Sequence, residues 1–176
     1  KHVIESSSDI IYNTDVNGVI SYINPVFEKI SGYKENELLG IDINHLVAPD
    51  FQKNIKEIYR KFFKSNEDNL TTEIPCQKKD GNIIWLELNT SKIKEGKIIN
   101  EFSTISRDIT ERKKTEHELQ ESEERYRMLV ENSTEMIYKT DVYGNYTYVN
   151  QVFIKISGIT EAENLKMNCL INLERK

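Results

Sequence analysis

The sequence is short of the residues that build metal centres and disulfide frameworks. It has two cysteines, Cys76 and Cys169, far apart and without C-x-x-C spacing, and three scattered histidines, His2, His45 and His117. A disulfide scaffold is therefore not expected, a reducing compartment such as the cytoplasm is, and a zinc site lacks its raw material. Positive charge is also outweighed: 24 basic against 29 acidic residues leave a net charge of −5, which argues against a nucleic-acid partner. No run approaches the roughly 18–20 apolar residues of a membrane-spanning helix, so this segment is not expected to contact a membrane. Lys1-His2-Val3 carries neither an initiator methionine nor a leader pattern, and the 176 residues read as an excerpt of a longer chain. Charged residues make up 30% of the sequence and apolar ones 38%. That balance suits an ordinary core accompanied by a solvated helix.

What the sequence does have is a repeat. Ile10-Ile-Tyr-Asn-Thr-Asp-Val-Asn-Gly18 returns as Met136-Ile-Tyr-Lys-Thr-Asp-Val-Tyr-Gly144. Tyr22-Ile-Asn-Pro-Val-Phe-Glu-Lys-Ile-Ser-Gly32 returns as Tyr148-Val-Asn-Gln-Val-Phe-Ile-Lys-Ile-Ser-Gly158. The offset is a constant 126 residues, far longer than the roughly 20–50 of a solenoid, so the chain holds two copies of one domain type, the second cut short at Lys176.

Within the first copy, Asp9–Asp15 and Val19–Ile23 read as a hairpin about Val16-Asn17-Gly18. Asn24-Pro25 opens a short helix that Gly32 closes. Thr160-Glu-Ala-Glu163 is a capping box in the second copy, whereas Lys34 has lost the cap in the first. A longer helix follows Ala48-Pro49-Asp50, with Phe51, Ile55, Ile58, Tyr59 and Phe62 on one face. Three strands complete the copy: Leu70–Lys78, Asn82–Ile93 and Ile98–Ile109. The order β-β-α-α-α-β-β-β predicts an α+β domain with helices on one face of an antiparallel sheet.

From Asp108 to about Glu131 a charged helix is expected, opened by Asp108-Ile-Thr-Glu111 as a capping box with Asp108 at the N-cap. Thr115, Leu119, Ser122, Tyr126 and Leu129 recur at four- and three-residue steps, a thin coiled-coil seam suited to a homodimer.

The ordered set Asp9–Gly18, Tyr22–Phe27, Ser31-Gly-Tyr33, Glu37-Leu-Leu-Gly40, Lys79-Asp-Gly81, Trp85 and Asp108-Ile-Thr110 resembles a PAS domain followed by the start of a second. The resemblance implies a five-stranded antiparallel sheet in order 2-1-5-4-3 with helices on one face. The segments are then 1–109 (PAS domain), 110–131 (linker helix) and 132–176 (start of the second PAS unit). It also implies a sensory role upstream of an output domain, with Asp108, Ile109 and Thr110 as the transmitting end.

Alternation along Ile84, Leu86 and Leu88 sets one strand face against Trp85 and Glu87 on the other. With the Leu face assigned to the helices by the resemblance, the interior combines Phe27, Ile55, Tyr59, Phe62, Ile74, Cys76, Leu86, Leu88 and Phe102. A packed core is the first expectation for so apolar a set, and a small apolar ligand the second. Cys76 reads as an inert buried thiol. Trp85 on the outer face calls for a cover, either a helix preceding Lys1 or a second subunit.

No cofactor is expected. Haem-binding relatives carry an axial His on the long helix, yet Asp50–Lys64 has none; His45 lies before it and reads as a partly exposed residue. Flavin-binding relatives place polar side chains on the later strands, where this chain aligns Cys76, Leu86 and Ser106; Leu86 cannot satisfy a polar ring edge. His117-Glu118-Leu119 resembles the start of a kinase phosphoacceptor box, but Gln120-Glu121-Ser122 follow, so it reads as an exposed linker histidine. No nucleophilic set, metal cluster or phosphate-cradling loop points to an enzyme. The expectation is a cytoplasmic signal-input module, most simply of a sensor histidine kinase. The alternatives are a dimerising spacer without ligand and the input region of a diguanylate cyclase.

Overall fold

Val16-Asn17-Gly18 turns the chain between β1 (Ile10–Asp15) and β2 (Ile20–Ile23), which pair antiparallel. The computed structural model describes residues 9–158. Gly18 alone in the turn has positive φ, 87°, so this is a three-residue loop ending in a left-handed glycine. The Asp15 carboxylate tightens it by accepting from the backbone N–H of Val19 (2.8 Å) and Asn17 (2.9 Å). Those donors, Val19 foremost, hold the carboxyl below its usual range.

Asn24 is the next fixed point. It caps α1 (Pro25–Ser31) by accepting from Phe27 N–H (3.2 Å), accepts from Ile11 N–H (3.0 Å), and donates to the Asp9 carbonyl (3.0 Å). One buried amide thus ties the helix start to β1. Gly32, at φ 78°, ends α1, and α2 (Glu35–Leu38) follows. Lys34 offers no acceptor to that helix; Glu37 supplies the other half of the box by accepting from Lys34 N–H at 2.9 Å. Residues 40–43 then run beside β2, with Gly40 N–H donating to the Ile20 carbonyl, Ile20 N–H to Ile41, and Ile43 N–H to Gly18, each at 2.9 Å. Two 3₁₀ turns, Ile43–Leu46 and Pro49–Phe51, lead into α3 (Gln52–Lys64).

The remaining strands are β3 (Asn69–Gln77), β4 (Ile83–Glu95) and β5 (Ile98–Asp108). The sheet is antiparallel with order β2-β1-β5-β4-β3, as the resemblance implies. Ile84, Leu86, Leu88, Thr90 and Lys92 of β4 are buried, in strict alternation with Trp85 and Glu87. Ile10, Ile20, Leu38 and Leu88 anchor the core between sheet and helices.

The long helix, α4, spans Thr110–Glu131, and the chain divides into two compact units at Lys114/Thr115. In the second unit β6 (Tyr138–Thr140) and β7 (Tyr146–Val149) form a two-stranded sheet, followed by α5 (Gln151–Ser157). The repeat is preserved atom for atom at its key asparagine. Asn150 accepts from Phe153 and Ile137 N–H (both 3.0 Å) and donates to the carbonyls of Glu135 (2.9 Å) and Val130 (3.1 Å). Tyr138, Tyr146 and Phe153 pack edge to face with centroids 5.3–5.7 Å apart, so the described part of this copy has its own small core. The Thr160–Glu163 capping box, Cys169 and the rest of the 132–176 segment after Gly158 lie outside the described residues.

Candidate functional site: a cavity with a hydroxyl floor and a sheet-to-helix joint

Three neighbouring strands place hydroxyl side chains side by side on the inner face of the sheet. Tyr12 of β1 stands opposite Thr104 of β5, which stands opposite Thr90 of β4. The Thr90 and Thr104 oxygens are 3.0 Å apart, and α3 lays the Tyr59 hydroxyl 2.7 Å from Thr90. The Tyr12 hydroxyl is directed at Thr104 and Tyr59. Burial raises the pKa of both phenols above the ordinary tyrosine value, which keeps them neutral.

A cavity of about 390 Å³ opens between this row and α3. It lies at the small end of the roughly 300–1,000 Å³ range of small-molecule sites. Much of the expected apolar set does pack, with Phe27, Ile55, Ile74, Cys76, Leu86 and Leu88 in one buried cluster, while small threonines at the centre of the sheet face α3 and leave space that leucine or isoleucine would fill. The nine candidate lining residues divide. Ile55, Tyr59 and Phe102 line this cavity, and Ile74 and Leu88 line it and a smaller pocket of about 40 Å³. Phe27, Cys76 and Leu86 line only the smaller pocket, and Phe62 lines neither. Phe62 packs instead on Phe102 (5.9 Å), with the buried Lys92 ammonium 4.4 Å over its ring and donating to the Ser65 carbonyl (2.9 Å). Burial pushes the Cys76 thiol up to about 12, the opposite of a reactive thiolate.

The residues missed in the sequence are the polar ones. Tyr12, Thr90 and Thr104 sit at inward positions of alternating strands, and that register was a usable signal once β1, β5 and β4 were ordered. Asn44, buried on the first 3₁₀ turn and lining the cavity, carried none. Its turn is held by Asp42, whose carboxylate accepts from the Asn44 N–H at 2.9 Å. His45 beside it is exposed and lines neither cavity.

The second part of the site is the end of β5. Ile109, buried, donates its N–H to the Trp85 carbonyl (2.9 Å), and the Thr110 hydroxyl accepts from Trp85 N–H (2.9 Å). Thr110 N–H donates to Asp108 Oδ1 (2.8 Å). The helix starts one residue later than the expected capping box requires. Ile109 holds the N-cap position, and Asp108 remains the last residue of the strand, folding back over Thr110 as an Asx turn.

Trp85 is half-buried: the Phe51 ring meets it edge-on at 5.8 Å and the Lys113 ammonium lies 5.5 Å from its centroid, so the first unit supplies part of its cover. Around it, Glu73 and Glu87 stand directly opposite each other on β3 and β4, and the first turn of α4 neutralises the pair. Arg112 reaches Glu73 (2.5 Å) and Glu87 (3.7 Å), and Lys113 reaches Glu73 (2.7 Å). Lys113 foremost lowers the Glu73 pKa. Farther along α4, Leu119, Ser122, Tyr126 and Leu129 are exposed, as is His117, whose Nδ1 lies 3.6 Å from Glu121. Within the second unit, Lys139 stacks over Tyr126 at 5.4 Å.

Among the described residues no group of three or more His, Cys, Asp or Glu is placed to hold a metal, and no helix is long and apolar enough to cross a membrane. A sheet of this order, a helical layer over a cavity and a last strand running directly into a long helix define an α+β fold of the PAS type. Family models agree: a PAS domain model matches residues 8–111 and a second matches 124–175. The chain belongs to the PAS domain family. It is 26% identical over 163 residues to the oxygen sensor protein DosP of Escherichia coli K12, covering 89% of this chain and 20% of that protein. It is 28% identical over 123 residues to the sensor histidine kinase TmoS of Ectopseudomonas mendocina, covering 68% of this chain and 12% of the kinase. Among solved structures it resembles a PAS domain from Colwellia psychrerythraea, with TM-score 0.55 and 28% identity, over 61% of this chain and 91% of that one. The chain thus spans a fifth or less of the two sensor proteins. These relatives support a signal-input role, and the PAS domains themselves are non-catalytic.

Proposed function

We propose that this chain is the input segment of a multidomain signal-transduction protein, most simply a sensor histidine kinase. In this reading a small molecule in the cavity biases two arrangements of the sheet, and α4 carries the difference to an output domain. The observation that supports it is the continuity of β5. Thr104, on the cavity floor, and Asp108, which folds over the first residue of α4, belong to one strand. They are four residues apart, or roughly 13 Å of extended chain. In this reading the module works as a homodimer in the cytoplasm through the exposed Leu119, Ser122, Tyr126 and Leu129 face, and needs neither haem nor flavin.

Asp108→Ala in the full-length protein tests the transmission. The reading expects output to change severalfold while the denaturation midpoint moves little, since the two exposed hydrogen bonds that Asp108 accepts from Thr110 are together worth about 1–2 kcal/mol. Loss of output only in proportion to loss of folded protein would reduce Asp108 to a local brace of the Asx turn. The exposed apolar residues on α4 favour a second reading, a dimerising spacer without ligand, and a diguanylate cyclase output fits the same input segment. Native mass spectrometry separates ligand from spacer: a retained small molecule favours sensing, and an empty dimer favours the spacer.

A further inference from the structure

The larger cavity pairs a neutral polar interior with a cationic rim, and this narrows the class of molecule it suits. Asn44 is 7% exposed, and its Oδ1 has no hydrogen-bond partner among the described residues. An unpartnered buried acceptor costs on the order of 1–3 kcal/mol; this oxygen is closed to solvent, so a ligand's donor recovers that cost once the amide turns toward the cavity. The groups nearest in kind, Tyr12, Tyr59 and Thr104, are neutral hydroxyls, so nothing within the cavity balances a buried charge. At the rim the situation reverses. Lys56 stands 4.0 Å from Asp42, whose other oxygen is engaged by the Asn44 N–H, while Arg60 lines the cavity, is exposed, and has no ion-pair partner among the described residues. A guanidinium in that position suits the flat, two-oxygen face of a carboxylate, and a rim exposed to water spares that carboxylate the cost of full burial.

We infer that the cavity takes a small organic acid with three parts. Its carboxylate pairs with Arg60 and Lys56, its apolar body packs on Ile55, Leu88 and Phe102, and a hydroxyl or N–H at its far end donates to Asn44. This deepens the proposed sensing role and rests on it.

Calorimetric titration of the 176-residue chain with 4-hydroxybenzoate, benzoate and 4-methylphenol tests the assignment. The expected affinity order is 4-hydroxybenzoate first, benzoate about tenfold weaker, and neutral 4-methylphenol weaker than 4-hydroxybenzoate by at least that factor. Arg60→Gln, a surface change that spares the core, should weaken both acids about tenfold and leave the neutral phenol unchanged. Asn44→Leu should abolish the preference for the hydroxylated acid. If 4-methylphenol binds as tightly as 4-hydroxybenzoate, or Arg60→Gln changes nothing, the acid assignment is overturned while the cavity remains a sensing site. If no probe binds and the amide signals of Asn44 and Tyr59 stay fixed at millimolar concentration, the assignment and the sensing role both fall.

Discussion

Asn24 shows how much of this fold is decided by single polar side chains. Its amide serves the Ile11 and Phe27 N–H groups and the Asp9 carbonyl from a site that is 1% exposed. Asn24→Ala strands the Ile11 N–H and the Asp9 carbonyl, and should cost about 2–4 kcal/mol, read as a lower urea midpoint with an unchanged slope. The sequence signalled this residue only as a helix cap; its tie to β1 became visible once the strand lay beside it. Cys76 gives a pH prediction. Its thiol is neutral in the folded protein up to about pH 12, whereas an unfolded thiol ionises near pH 8.5. The folded state's advantage is complete below the unfolded value and is lost as pH rises from there toward 12, by up to about 1.4 kcal/mol per pH unit. Burial of Tyr12 and Tyr59 adds to the decline above roughly pH 10. Urea midpoints at pH 8 and 10 should therefore fall further for the wild type than for Cys76→Ala, whose packing loss is the same at both pH values.

Among the elements, the joint between β5 and α4 carries the most consequence. Thr110 makes three bonds at once: its hydroxyl accepts from Trp85 N–H and donates to Asp108, and its backbone N–H donates to Asp108 as well. Thr110→Val keeps the shape but removes both hydroxyl bonds, the one accepted from Trp85 N–H and the one donated to Asp108, so amide exchange at Trp85 should accelerate by about fivefold to tenfold, with the β1–β2 hairpin unaffected. Equal acceleration throughout the sheet would mean that Thr110 contributes only general stability. Strand and helix positions were legible in the sequence because alternation, the Asn-Pro start and the Gly stops all act locally. The joint was legible as a motif but not as a mechanism. Arg112 and Lys113 are merely two charges in a charged helix until the opposed Glu73 and Glu87 are placed beneath them by strand pairing. The cover on Trp85 was hidden for the same reason, since Phe51 lies 34 positions earlier in the chain. The cavity was half legible: its apolar walls follow from residue type, whereas its size depends on threonines meeting α3.

At the scale of the molecule, PAS models match both units, and the second repeats the hairpin and short helix of the first among the described residues, with α4 running across the division at Lys114/Thr115. The exposed α4 face is the proposed dimer seam. Leu119→Glu with Leu129→Glu should convert a sedimenting dimer to monomer while leaving the Trp85 fluorescence of the first unit unchanged; a dimer that survives both changes places the interface elsewhere. The central claim is that the cavity floor and the start of α4 form one coupled system. Its most direct test is hydrogen exchange at the Trp85 and Lys113 amides in Tyr59→Phe, which deletes one hydroxyl from the cavity row and touches nothing at the joint. The account predicts faster exchange at both amides, out of proportion to the amides of the hairpin turn at Val19. Unchanged exchange at Trp85 and Lys113, or an equal shift at Val19, would contradict it.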